Sequence, residues 1–177
     1  SYAISGTISE INEGDTSTQT LSFTVTRSGG IGVQSSIDYS IGGTANLGSD
    51  YNNIQVSGGL TTQTGTLNFA PEETQKTITL DVIGDDGFEV DETIGVVLSN
   101  PEPAIAPANA KITMDTAAVK ILNDDGQPVI STNGFSIAEG DSQTKTGSFQ
   151  VSLSNPSTET VTVEYITADD TARVDDG

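Results

Sequence analysis

Through most of this chain apolar side chains recur at every second position, and nowhere at a sustained helical period with caps. LSFTVTRS puts Leu21, Phe23 and Val25 on one face, and TQKTITLDV does the same with Ile78, Leu80 and Val82. TIGVVLSN carries Ile94, Val96 and Leu98 at this spacing, and TAAVKILN carries Val119 and Ile121. Successive side chains of a strand point to opposite faces, so this period describes strands with one face buried. Gly, Asn, Asp and Pro separate the runs. Seven short strands at spacings of roughly 8–12 residues predict an all-β fold, a seven-stranded antiparallel immunoglobulin-like β-sandwich. A barrel is the alternative.

The pattern repeats. INEGDTSTQTLSFTV (residues 11–25) aligns with IAEGDSQTKTGSFQV (residues 137–151), and one offset of 126 residues carries Glu13 onto Glu139, Phe23 onto Phe149 and Tyr39 onto Tyr165. The first copy is expected to span residues 1–125. The second, residues 126–177, holds only the N-terminal part of a unit, with NDDGQP (residues 123–128) as the junction. A truncated sandwich has no second sheet over its apolar face and leaves strand edges bare. The second part is therefore expected to be poorly ordered, or completed by another chain through homo-oligomer formation or strand exchange.

The stretch VIGDDGFEVDETIGVVLSN holds Asp85, Asp86, Glu89, Asp91 and Glu92, with no Lys or Arg nearby. Glu92 shares the inward parity of Ile94, Val96 and Leu98. A carboxylate on the core side must be neutralised, hydrogen-bonded or bound to a cation, which puts Glu92 at the open end of the sandwich. Strands alternate in direction, so every second connection reaches that end. Asp85, Asp86 and Glu89 lie on one such loop, with Asp50 on another. Glu13 precedes the first long strand, and Asp124 and Asp125 follow the last. Two unit charges about 4 Å apart repel by about 4 kcal/mol at an effective dielectric near 20. Eight carboxylates gathered without counterions would be costly.

Composition narrows the choice of counterion. The formal charge is −19, and His and Cys are both absent. Nucleic acid and anionic membranes are disfavoured as partners, because both need clustered cations. No apolar stretch approaches a membrane span, so no membrane insertion is expected. Zinc prefers His or Cys, whereas calcium takes about 6–8 oxygen ligands at roughly 2.3–2.6 Å from carboxylates and carbonyls. Magnesium suits an all-protein cage less well. Calcium ions, more than one if carboxylates bridge, are the expected cofactor. A plainer reading also holds: DDG occurs at residues 85–87, 124–126 and 175–177, and Asp-Gly is a strong turn pair on conformational grounds alone. No EF-hand loop and no glycine-rich calcium nonapeptide is present.

The series EGD, FTVTRSGG, IDYSIGGTANLGSDY, GTLNFAPEETQKTITLDVIGDD, EVDETIGVVLSNP and VKILNDD closely resembles the Calx-beta motif. The likeness covers nearly all of the first copy and the N-terminal portion of the second. It implies a seven-stranded sandwich with calcium bound by loops at one end in the binding members. By position it implies Glu13, Asp50, Asp85, Asp86, Glu89, Glu92, Asp124 and Asp125 as ligands. Gly84 and Asn123 stand where strong binders of the family resemble a third Asp, which implies weaker binding or fewer ions. Glu139 occupies the Glu13 position of the second copy, and Asp176 lies close to the Asp50 position.

Three functions follow. The first is a calcium-binding module of a larger surface or secreted repeat protein, its ions stiffening the junction with neighbouring repeats. The second is a metal-free structural or adhesion repeat whose acids only keep the surface soluble. The third, a glycosidase using paired carboxylates, finds few aromatics for sugar stacking and no nucleophile-and-base set, so no enzyme is expected. An extracellular or cell-surface location fits the cysteine-free, acidic, Thr/Ser/Gly-rich style.

Overall fold

The computed structural model describes residues 1–59, 61–103, 109–138 and 140–168. Glu139, Asp176 and the third DDG lie outside them. Twelve strands and no helix occur among the described residues: β1 (Tyr2–Gly6), β2 (Glu10–Asn12), β3 (Thr18–Arg27), β4 (Ser35–Gly43), β5 (Tyr51–Val56), β6 (Thr64–Phe69), β7 (Gln75–Ile83), β8 (Glu92–Glu102), β9 (Ile112–Met114), β10 (Thr116–Leu122), β11 (Ile130–Thr132) and β12 (Val151–Leu153). One sheet has the order β5-β7-β3-β1-β9 and the other β2-β10-β8-β4-β6. They form an immunoglobulin-like sandwich, and β11 and β12 pair separately. None of the described segments is a helix long and apolar enough to cross a membrane.

The alternating residues build the core. Leu21 faces Leu80 across β3 and β7, and Phe23 faces Ile78. In the second sheet Tyr39 faces Leu98 and Ile41 faces Val96 across β4 and β8. All are buried, together with Ile94, Val119 and Ile121. Burying each such side chain contributes about 1.5–3 kcal/mol relative to leaving it in water.

The ends of the sandwich depart from a purely antiparallel plan. The first strand is divided between the sheets as β1 and β2, and the last as β9 and β10. β1 runs parallel to β9, and β2 runs parallel to β10, with Ile11 opposite Ile121. This crossing puts Glu13, just beyond β2, next to the chain leaving β10: the Glu13 N–H donates to Leu122 O at 3.1 Å. At the far end of β3, Arg27 keeps the inward parity of Val25 and is buried. Its guanidinium donates to Ala70 O at 3.1 Å and Val33 O at 2.7 Å, with longer bonds to Phe69 O and Gly30 O.

The second copy is built differently. Phe23 and Val25 are 0 % exposed, but their counterparts Phe149 and Val151 are 52 % and 45 % exposed. Tyr39 is 2 % exposed and Tyr165 is 77 % exposed. Nearly the same side chains thus meet a core in one unit and solvent in the other. Among the described residues beyond 126, no opposing sheet covers the apolar face of β12.

Candidate metal centre

Four separated segments converge at one end of the first sandwich. Asp50 lies in the turn before β5. Its carboxylate accepts the Asn46 N–H at 2.6 Å, and its carbonyl accepts the Ile83 N–H at 2.9 Å, which ties the turn to the end of β7. The β7–β8 connection then carries Asp85, Asp86 and Glu89. Asp85 Oδ1 caps its own loop by accepting the Gly87 N–H at 2.6 Å. Glu92 opens β8 opposite Ile121, half-buried at the edge of the core.

On the other side, the turn after β2 presents Glu13. The next residue, Gly14, donates its N–H to Asp124 Oδ1 at 3.0 Å. Asn123 joins the loops: its side-chain oxygen accepts the Glu89 N–H at 3.0 Å while its amide nitrogen donates to Asp125 O at 2.9 Å. An aspartate there could accept but not donate. Gly84 has an equally definite role. A β-carbon on it would lie 1.7 Å from Gly14 O and 2.5 Å from Glu13 O, so only glycine lets the two loops pass. At both positions, where the sequence suggests missing acids, the residue present holds the loops in place.

The carboxylates form two lobes that share Glu89. In the first, oxygens of Asp50, Glu89 and Glu92 lie within 4.8 Å of one another. In the second, Glu13 faces Glu89, Asp85, Asp125 and Asp124. Asp86 and Asp15 join it through Asp125. All eight acids singled out in the sequence therefore sit at this end, and Asp15, in the same NEGD turn as Glu13, was missed. Asp91 points elsewhere. It pairs with Lys120 across β8 and β10, so the charge run is not wholly without a cation. That partner is visible only once the strand register is known.

The crowding shows in the acidities. Burial, then Glu89 and Asp85, push Glu13 up to about 7. Burial, then a hydrogen bond with Asp50, push Glu92 up to about 7 as well. Glu89 is raised by burial and by Asp50 and Asp85, and Asp125 by burial and by Asp15 and Asp124. Glu13 is only 5 % exposed, yet its Oε1 has no hydrogen-bond partner, and neither does the buried Oδ2 of Asp125. A buried carboxylate oxygen without a donor costs several kcal/mol unless a proton or cation meets it. An all-oxygen donor set of this charge fits a hard dication such as calcium and lacks the N and S ligands that zinc prefers.

Comparison with known proteins gives a family match. The Calx-beta domain model matches residues 4–125 and 130–177. Sodium/calcium exchanger 1 of Felis catus is 41% identical over 96 residues, which cover 47% of this chain and 9% of that protein. The Bos taurus protein is 40% identical over the same length. The chain thus spans about a tenth of these relatives. Among solved structures, the apo form of the Calx CBD1 domain is 26% identical, covering 70% of this chain and 98% of that one, with a TM-score of 0.48. The calcium binding domain CBD12 of CALX1.1 is 28% identical, covering 69% and 44%, with a TM-score of 0.46.

Proposed function

Since the chain belongs to the Calx-beta domain family, we propose that its first 125 residues are a calcium-binding module of a repeat protein, with residues 126–177 the beginning of the next repeat. Calcium is held by Glu13, Asp50, Asp85, Asp86, Glu89, Glu92, Asp124 and Asp125 and stiffens the junction between the units. One observation carries the proposal: Glu13 Oε1, buried and without a donor among other carboxylates. A structural acid would find a donor, whereas a ligand awaits its ion.

Asp124 and Asp125 belong both to the site and to the linker, so an ion held there removes hinge freedom and adds its binding free energy to stability. At a hundredfold excess over Kd that is about 2.7 kcal/mol, a rise of about 10 °C in melting temperature for a unit of this size. The measurement is thermal denaturation in chelator and in millimolar calcium, for the wild type and for the Glu89→Gln/Glu92→Gln double variant. The wild type should shift and the double variant should lose most of the shift. An unshifted wild type would leave the metal-free structural repeat as the better account. The cysteine-free, acidic composition supports a place in a surface or secreted protein, and the exposed Phe149, Val151 and Tyr165 support completion of the second unit by further chain or by strand exchange.

A further inference from the structure

One asparagine of the second unit stands where the first unit has serine. The offset of 126 residues carries Arg27 onto Leu153 and Thr24 onto Gln150. Tyr2 pairs with Arg27 across β1 and β3, and Ile130 pairs with Leu153 across β11 and β12. β11 therefore answers to β1 two residues further along than that offset, with Ile130 matched to Tyr2, Asn133 to Ser5 and Gly134 to Gly6. The rungs agree: Ser5 lies opposite Thr24, and the Asn133 N–H donates to Gln150 O at 3.4 Å. In the first unit Gly6 ends β1 where the chain leaves one sheet for the other, and a β-carbon there would lie 3.2 Å from Ile8 O. Glycine suits so close a passage. The second unit keeps the glycine and puts Asn before it.

That pair has chemistry of its own. Asn133–Gly134 is the one Asn-Gly step in the chain. The Gly134 nitrogen can close a five-membered ring on the Asn133 carboxamide if the backbone turns to bring it under Cγ. A strand forbids that turn by fixing φ and ψ, and a following side chain obstructs it, whereas glycine permits it. Here the strand ends at Thr132. Asn133 and Gly134 are both exposed, and among the described residues neither the carboxamide nor the Gly134 N–H is hydrogen-bonded. A β-carbon on Gly134 would meet nothing within 4 Å, so its nitrogen is unscreened. Every other asparagine precedes a residue with a side chain, and two of them, Asn100 and Asn155, precede proline, which has no N–H.

We propose that Asn133–Gly134 is a self-modifying site, at which the exposed end of β11 converts Asn133 into aspartate and isoaspartate. Water or hydroxide takes the Gly134 amide proton, the nitrogen attacks Cγ of Asn133, and the Cγ–Nδ2 bond breaks. The leaving nitrogen picks up a proton from water and departs as ammonia, leaving a succinimide. A second water opens the ring at either carbonyl. The sum is carboxamide plus water giving carboxylate plus ammonia, with no oxidation or reduction. Both products add a negative charge. In the isoaspartyl product the main chain runs through Cγ and gains one atom between Asn133 Cα and Gly134 N. The turn that Gly6 makes in the first unit is then out of register in the second. None of this depends on whether the acidic end binds calcium.

The test is incubation of the full chain at pH 8 and at pH 5, with its peptides followed by mass spectrometry. The peptide holding Asn133 should become heavier by one mass unit, ahead of every other asparagine peptide. The change should be faster at pH 8, because base removes the proton of the attacking nitrogen. Isoaspartyl methyltransferase should label the aged peptide. Asn133→Ser, which installs the residue of the first unit, should abolish the change. Gly134→Val should slow it severalfold, since a β-branched residue restricts the turn. Conversion in urea but not in the folded chain would overturn the proposal, because the fold would then hold the step closed. So would earlier conversion of any other asparagine, or a Gly134→Val chain that converts as fast as the wild type.

Discussion

Neutralising Glu13 should act in opposite directions with and without calcium. In the metal-free chain its carboxyl sits near 7 and not near 4.5, because burial and then Glu89, Asp85, Asp125 and Asp124 disfavour its charge. The unfolded chain gives up this proton near 4.5 and the folded chain near 7. Folding is therefore uncompromised below pH 4.5, loses stability as pH climbs through that window, and carries the full cost above about 7. The whole displacement corresponds to roughly 3 kcal/mol, which water and counterions around this open end reduce to about 1 kcal/mol. In EDTA at pH 8, Glu13→Gln should melt about 3 °C above the wild type. At pH 4.5 the two should coincide. In saturating calcium at pH 8 the order should reverse, since the variant has lost a charged ligand. Scanning calorimetry at the two pH values, with and without calcium, gives all the comparisons. A variant less stable than the wild type in EDTA at pH 8, or one whose advantage persists at pH 4.5, would refute the claim that an uncompensated charge is stored at this position.

Gly84→Ala should lower metal-free stability by about 2 kcal/mol, because its β-carbon collides with the Gly14 carbonyl, and should weaken calcium binding as the turn carrying Glu13 is displaced; denaturation and calorimetry read the two effects separately. Arg27→Lys should cost about 3 kcal/mol in urea denaturation, because one ammonium cannot serve the carbonyls that the guanidinium spans. Its calcium-induced shift should match the wild type's, since Arg27 lies at the other end of β3 from the acids.

The strands were legible because their signal is local: the parity of Leu21, Phe23 and Val25 depends on nothing beyond the segment itself. Convergence of the acids could also be read, since antiparallel connections return to the same end and Glu92 shares the parity of Ile94. Features set by long-range register escaped. The division of the first and last strands between two sheets depends on how Ile11 comes to face Ile121. The pairing of Asp91 with Lys120 depends on β8 lying beside β10. Gly84 and Asn123 read as missing ligands because, as sequence, they are only the absence of a carboxylate. Their work, a close passage and a two-way amide, exists only between loops far apart in the chain. Asp15 was passed over because nothing in NEGD distinguishes a second useful acid from a solvated one.

The parallel pairing of β1 with β9 and of β2 with β10 bears on mechanics. The chain enters the first sandwich along β1 and leaves along β10, so tension between its two ends pulls these strands lengthwise past one another. Their interstrand bonds are then loaded together, side by side, and must fail as a group, whereas a hairpin pulled from its open end peels one rung at a time. A unit built in this way resists stretching along the direction in which a string of such units would be drawn taut.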